Sequence, residues 1–558
     1  MRELLTASRP ILFYAGVFSL AINLLMLVPP LYMLQVFDRV LASRSEETLI
    51  ALTLIALAAL AVLAALDAVR TRLLALGGLA LDRRLGPRVI DALLARATRF
   101  GGAMQAALLR DVAALRAFFS GQGILALYDA PWLPVFLLVV FLFHPLLGVI
   151  ALAGTVCMLV LALVNERLSR EPVERAQAAA RRAGGFVDTA ARNAEVVAAL
   201  GMLPAVTRRW SAANDEVLAA QVDAARAAGS FGALIRLARQ LIQVVMLAAG
   251  AWLVVRQEVT AGVMIAATLL LARALAPVEQ LVAGWRHLIE ARGAWRRLDE
   301  LLRAEPRKVA PTELPAPTGR LEVEGAGFAF PGATRPALRN ISFSLSPGES
   351  LAIIGPSASG KSTLARLIAG VSRPGLGAVR LDGADVHAWP REQLGPYVGY
   401  LPQDVELFGG TVAENIARLG TPDSAEVVRA AQRAQVHEMI LRLPRGYDTE
   451  LGEGSLGLSP GQRQRIALAR ALYGQPRLVV LDEPNSNLDH DGHQALSRAL
   501  ATLVDEGVTL VLIAHRPSLL ARIGKVLVLR DGMVEAFGPC AQILRRVAPQ
   551  ALAAKEVA

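Results

Sequence analysis

Cysteine is almost absent: Cys157 and Cys540 are the only two in 558 residues. They stand in unrelated contexts, so neither a disulfide framework nor a cysteine metal site is on offer, which suits a reducing compartment. Lysine is nearly as scarce. Lys308, Lys361, Lys525 and Lys555 are the whole supply in a chain that otherwise uses arginine. Aromatics make up 5 % and are not interleaved with basic runs, so the net charge of +10 does not read as a nucleic-acid surface. No small-residue cleavage site follows the first apolar stretch, which runs on too long for a signal peptide. Charge is also thin, at 19 % against 54 % hydrophobic residues and a mean hydropathy of +0.44. That balance places part of the chain in lipid, and the length allows two or three domains.

The apolar stretches lie in the first half. Ile11 to about Val36 is the first spanning candidate, and Pro29-Pro30 near its far end should kink the helix or unwind its last turn. Thr48–Leu66 carries no charge and is long enough to cross a bilayer, which takes roughly twenty residues. Further candidates are 124–143, interrupted early by Asp129, Pro131 and Pro134, then Leu146–Val164, 231–255 and 259–282. Long arginine-bearing connections of helical composition follow the second and fourth segments, whereas very short links follow the first, third and fifth. The positive-inside bias puts the long connections and both termini in the cytoplasm, as extensions of the spanning helices.

Arg236, Arg239, Gln240 and Gln243 share one face of the fifth segment, and Arg273 and Glu279 interrupt the sixth. They either line a polar path or pair with one another near the membrane edge. Pro306, Pro311, Pro315 and Pro317 then mark a linker. The expected division is 1–305 membrane domain, 306–319 linker, 320–545 nucleotide domain and 546–558 tail.

The second half is built around Gly355-Pro356-Ser357-Ala358-Ser359-Gly360-Lys361-Ser362-Thr363. The apolar run before it reads as a strand and the run after it as a helix, the context a phosphate-binding loop requires. Its glycines let N–H groups curl inward, Lys361 reaches the outer phosphates, and Ser362 takes a place on Mg²⁺. Phe330, about twenty-five residues earlier, is placed to stack on a base. Gln403 ends a strand and reaches Mg²⁺ or an attacking water. Ser459 to Gln462 opens a helix, a second anion-binding surface. The apolar strand 478–482 ends in Asp482 and Glu483: the first suits Mg²⁺, and the second polarises a water for in-line attack. His515 ends a last strand, within reach of a γ-phosphate.

Together these pieces resemble the ATP-binding cassette transporters. Phe330 matches the aromatic loop, 355–363 Walker A, Gln403 the Q-loop, Ser459–Gln462 the signature, Asp482 and Glu483 Walker B, Ser486–Asp489 the D-loop and His515 the switch histidine. The resemblance implies a membrane α-helical domain of six transmembrane helices, of ABC exporter type, followed by an α/β P-loop ATP-binding cassette domain. It also implies a homodimer in which Ser459, Gly461, Gln462 and Asp489 of one chain meet the nucleotide on Walker A of the other. ATP and Mg²⁺ are the implied cofactors. Pro460 replaces the glycine usual after the signature serine, which puts the turnover rate in question.

The membrane half is similar to type I secretion ATPases of the PrtD type, on Ile22–Val36, Asp129-Ala130-Pro131-Trp132, Leu401–Phe408 and Leu458–Arg465. That likeness implies a bacterial inner-membrane exporter of polypeptides carrying a C-terminal signal. Its implied partners are an HlyD-like periplasmic adaptor and a TolC-like outer-membrane channel. The expectation of an uncleaved C-terminal signal goes with a first span so near the start that no peptidase-like leader domain fits. Two rival readings are an exporter of lipid or small hydrophobic molecules, and a soluble cassette ATPase acting on DNA or ribosomes. Helices at Leu109–Phe119 and Asn193–Leu203 are the segments expected to dock on the cassettes.

Overall fold

Prolines set two breaks in the apolar half. The computed structural model describes residues 2–100, 106–303, 314–330, 332–452, 457–514, 517–520 and 522–547. Helix α1 (Arg2–Leu25) stops at Met26-Leu27, and α2 (Val28–Gln35) restarts with Pro29 and Pro30 in its first turn. First-turn N–H groups have no helical acceptor, so proline loses little there. The expected kink is present, but the helix does not end with it. It runs on through a π-helical turn (Val36–Val40) into α3 (Leu41–Ser43). The second break lies at Asp129-Ala130-Pro131. There α6 (Gln122–Asp129) passes through a 3-10 turn into α7 (Leu133–Phe143).

The remaining helices of this unit are α4 (Glu46–Phe100), α5 (Ala106–Ser120), α8 (Pro145–Arg192), the short α9 (Ala194–Ala199), α10 (Leu203–Val255), α11 (Ala261–Ala283) and α12 (Trp285–Arg303). Six segments are long and apolar enough to cross a membrane: Arg9–Ser43, Glu46–Ala97, Leu108–Phe143, Pro145–Arg192, Leu203–Val255 and Ala261–Val282. The second, fourth and fifth carry the cytoplasmic extensions foreseen from composition. Leu54, Ile55 and Leu57 of α4 are exposed, an apolar face that suits lipid. Phe136, Leu147, Met158, Met246 and Leu271 fill the inner core.

Charge is buried between the first three spans. Arg70 is 4 % exposed and donates to Asp129 Oδ1 at 2.9 Å, Asp67 Oδ1 at 2.7 Å and Ser19 Oγ at 3.0 Å. Asn23 Nδ2 donates to the same Asp129 oxygen at 2.9 Å. Charges inside lipid are costly and persist where they pair with one another. Asp129→Asn should therefore lower the stability of the folded chain by about 1–3 kcal/mol. Arg70→Met combined with it should cost less than the sum, as a double-mutant cycle on thermal midpoints reads out.

Arg239 donates to Glu279 Oε2 at 2.7 Å, so this pair takes the pairing reading, while Arg236, Gln240 and Arg273 stay exposed. Of the two expected docking helices, α5 spends its apolar face inside its own unit. Val112 and Leu115 pack with Leu298 and Leu301 of α12, and Arg297 clasps Asp111 with bonds of 2.7 and 2.6 Å. By contrast, the α9 segment leaves Val196, Leu200, Met202 and Leu203 exposed.

The second compact unit carries the strands. These are β1 (Leu321–Phe328), β2 (Leu338–Leu345), β3 (Ser350–Ile354), β4 (Leu376–Leu381), β5 (Ala384–Asp385), β6 (Val398–Leu401), β7 (Gly410–Thr411), β8 (Glu450–Leu451), β9 (Leu478–Asp482), β10 (Thr509–Ile513), β11 (Lys525–Arg530) and β12 (Met533–Pro539). A six-stranded sheet has the order β12-β11-β3-β10-β9-β6, parallel from β11 to β6. Every residue of β9 and β10 is buried, as expected of parallel strands covered on both faces. A four-stranded sheet, β2-β1-β4-β5, is antiparallel. Its last hairpin turns on Asp382-Gly383, both at positive φ (51° and 82°), as the sequence signal requires.

Candidate functional site

In a parallel sheet ligands gather at the carboxyl ends of the strands. Here β3 runs into the glycine loop, β6 into Gln403, and β9 into Asp482 and Glu483. β10 lies between β3 and β9 and leads toward His515, which is outside the described residues.

The loop needs its glycines. Gly355 has φ +154°, and a Cβ there would lie 2.1 Å from the Leu529 carbonyl oxygen. Gly360 has φ +100°, and a Cβ would meet Leu338 at 2.7 Å and the Ala337 carbonyl oxygen at 2.8 Å. Ala358 also sits at φ +64°, a strained conformation held by the loop around it. Ser357 is exposed. Ser359 is buried, and among the described residues its Oγ has no hydrogen-bond partner. Lys361, Ser362 and Thr363 open the helix Lys361–Ile368, whose first N–H groups have no helical acceptor.

The charged groups converge on this loop. Lys361 is buried, and its Nζ donates to the carbonyls of Gly355 at 3.0 Å and Pro356 at 2.9 Å. Burial pulls its ammonium below the ordinary lysine value, against the opposing charges of Glu483 and Asp482. Asp482 is 1 % exposed and accepts from Ser362 Oγ at 3.2 Å. Burial raises its carboxyl above the ordinary range despite that bond. Glu483 stands at φ +49°, and Gln403 Nε2 donates to its Oε2 at 3.3 Å.

Phe330, 45 % exposed, meets Phe328 edge-on at 5.1 Å, which leaves ring surface for another aromatic. The signature residues form a separate cluster. Ser459 caps the helix Pro460–Leu472 by a reciprocal pair: Gln462 N donates to Ser459 Oγ at 3.2 Å, and Ser459 N donates to Gln462 Oε1 at 2.8 Å. Among the described residues, no hydrogen bond joins Ser459, Gly461 or Gln462 to the loop 355–363. Asp489 caps the helix His490–Asp505 by accepting from Gly492 N at 2.8 Å.

Pro460 falls on the first helical position, where its fixed φ suits the helix and its missing N–H is not needed. Pro460→Gly should therefore change the ATPase rate by less than about threefold. It should also cost about 0.4–1 kcal/mol of stability through the freer unfolded chain, read as a small drop in thermal midpoint.

One residue had no role in the motif reading. Gln464 is 2 % exposed, among the buried Ile466, Ala467 and Leu468. Its amide bonds to the segment after β9: Nε2 to the Glu483 carbonyl at 3.2 Å, and Oε1 from Asn487 N at 3.1 Å. A polar residue on an apolar helix face was the available signal.

The ABC transporter family matches residues 338–486, and the ABC transporter transmembrane region matches residues 12–278. The type I secretion system ATP-binding protein PrsD of Rhizobium meliloti is 46 % identical over 536 residues, covering 95 % of this chain and 92 % of that protein. The cyclolysin secretion/processing ATP-binding protein CyaB of Bordetella pertussis is 33 % identical over 530 residues, covering 93 % and 74 %. A solved bacterial Atm1-family ABC exporter with ATP bound shares the fold at TM-score 0.81 and 23 % identity, over 99 % of this chain and 98 % of that one. With these likenesses spanning both halves, the chain belongs to the ABC transporter family, as an ATPase of the type I secretion kind that crosses the bacterial inner membrane six times and keeps its nucleotide domain in the cytoplasm.

Proposed function

We propose that two copies of this chain bind two ATP molecules between their cassettes and use hydrolysis to export a polypeptide. The observation that carries the cargo class is the 46 % identity to a type I secretion ATP-binding protein over nearly the whole chain. The proposed cargo bears a C-terminal signal, and a periplasmic adaptor and an outer-membrane channel continue its path. The membrane domain occupies the chain up to about residue 305, and the linker and cassette follow.

The geometry supports the following site roles. The N–H groups of the loop, the buried Ser359 hydroxyl and Lys361 hold the β- and γ-phosphates. Phe330 carries the adenine. Ser362 Oγ and Asp482 Oδ1, 3.2 Å apart, are two hard oxygen donors of the kind Mg²⁺ accepts, and Gln403 is a third candidate. When bound there, the metal neutralises phosphate charge as the γ-phosphoryl leaves. Glu483 takes the proton of the attacking water, and Gln403, hydrogen-bonded to that carboxylate, orients it. Ser459 and Gly461 of the partner subunit would close on the γ-phosphate from the other side, with Gln462 and Asp489 shaping that surface. His515 is the proposed further γ-phosphate contact.

Reconstituted ATPase measurements test the cargo class. A peptide from the C-terminus of a secreted protein encoded nearby should stimulate hydrolysis, and lipids or small hydrophobic molecules should not. Stimulation by lipids alone would support the rival exporter reading.

A further inference from the structure

Both ends of one buried amide are spent on the catalytic loop. Gln464 Nε2 donates to the Glu483 carbonyl at 3.2 Å and to Ser486 Oγ at 3.4 Å, and its Oε1 accepts from Asn487 N at 3.1 Å. Asn487 offers a backbone N–H and Glu483 a carbonyl, so only one orientation of the amide satisfies both. The loop it holds is not a relaxed one. Glu483 lies at φ +49°, with its N–H on the Ile513 carbonyl at 3.1 Å and its own carbonyl also accepting from Ser486 N at 3.2 Å. A side chain at positive φ keeps its direction only while its neighbours hold the backbone.

The start of the same helix presses on the same loop. A Cβ on Gly461 would lie 2.7 Å from the Asn487 carbonyl oxygen, so the helix start abuts the loop without clearance. Gln464 lies one turn further along that helix, which Ser459 caps. Displacement of the Ser459 end is therefore transmitted to residues 483–487 by a steric contact and three hydrogen bonds.

We propose that Gln464 is a positioning residue for hydrolysis: it fixes the backbone that aims Glu483, and it relays engagement of the Ser459 helix end to the chain's own base. The positioning arm needs only this cassette and the assignment of Glu483. The relay arm rests on the two-copy reading, in which Ser459 serves the nucleotide held by the other chain. Together they give each chain a direct route by which closure at one ATP prepares hydrolysis at the other.

The test uses the full-length chain in nanodiscs, with Gln464→Met and Gln464→Glu. Methionine keeps length and helix preference but none of the three bonds. Glutamate keeps the acceptor for Asn487 N–H and sets an oxygen against the Glu483 carbonyl. In both, kcat should fall about 10- to 100-fold, the cost of a misplaced catalytic group, with KM for ATP within about threefold and the thermal midpoint lowered by a few degrees, since buried bonds are left unmade. The Hill coefficient for ATP should exceed one in the parent chain and fall to one in Gln464→Met. A kcat within about twofold of the parent in both variants overturns the assignment. So does a kcat that returns to the parental value once corrected for the folded, ATP-binding fraction, since that assigns the residue to folding alone. A kcat loss with an unchanged Hill coefficient, or a parent coefficient of one, keeps the positioning arm and overturns the relay. Glu483→Gln measured alongside separates the two claims: parental turnover in that variant sinks the base assignment itself, whatever Gln464 does.

Discussion

Glu483→Gln should leave a chain that binds ATP and closes as a dimer yet hydrolyses about 10²–10⁴-fold more slowly, the usual worth of a general base. The substitution keeps the volume and the contact with Gln403, which sits 3.3 Å from the carboxylate. It removes only the ability to take a proton from water. Nucleotide affinity should survive because the proposed phosphate contacts come from the loop, Ser359 and Lys361, none of which the change touches. Single-turnover hydrolysis with trapped ATP reads the chemical step, and equilibrium binding of a fluorescent nucleotide reads the rest. Steady hydrolysis at the parental rate would show that another group activates the water.

Lys361→Ala acts at the opposite end of the same event. The ammonium is buried, and among the described residues it bonds to the Gly355 and Pro356 carbonyls of the loop. Burial makes its charge costly, and the phosphates of bound ATP offset that cost. Losing a charge-assisted bond of about 1.5–3 kcal/mol should weaken ATP binding by roughly 10- to 100-fold. Turnover should fall with it. An unchanged ATP affinity would remove Lys361 from the phosphate site.

The contrast between these variants separates binding from chemistry. Loss of Glu483 slows the step after closure, whereas loss of Lys361 prevents closure from being reached. Vesicles holding either variant should therefore be equally silent in transport for different reasons.

Much of this was legible in the residues. Local patterns announced the spans, because an uncharged run such as Thr48–Leu66 has few alternatives to lipid. The glycine loop was legible for a similar reason: positive φ and close backbone approach restrict residue choice at a few fixed positions. Pro29-Pro30 was half legible. A proline pair signals a break, but whether the helix resumes depends on where its first turn falls, which spacing does not show. Long-range pairing was not legible. Arg70 and Asp129 are 59 residues apart, and nothing local to either names the other. Asp489 and Pro460 show a further limit. Their motif positions suggested nucleotide chemistry, yet in the fold each also has a plain helical use, one as a cap and one as a first-turn residue. Gln464 escaped because its one local signal, a polar residue on an apolar helix face, does not name the loop it bonds.

The α9 segment carries an exposed apolar tip. Val196, Leu200, Met202 and Leu203 are exposed at the turn between two helices of 48 and 53 residues. Such an apolar tip at the end of long levers is costly in water, so a covering surface is expected.

The most direct measurement is transport in sealed vesicles that carry this chain with its ATP site outward, supplied with a full-length secreted protein and ATP. The account predicts that the protein becomes protected from added protease inside the vesicles, that protection stops with Glu483→Gln, and that it fails when the cargo's C-terminal segment is removed. Vesicles that hydrolyse ATP and move lipid or a small hydrophobic dye, while no polypeptide is ever protected, would contradict it.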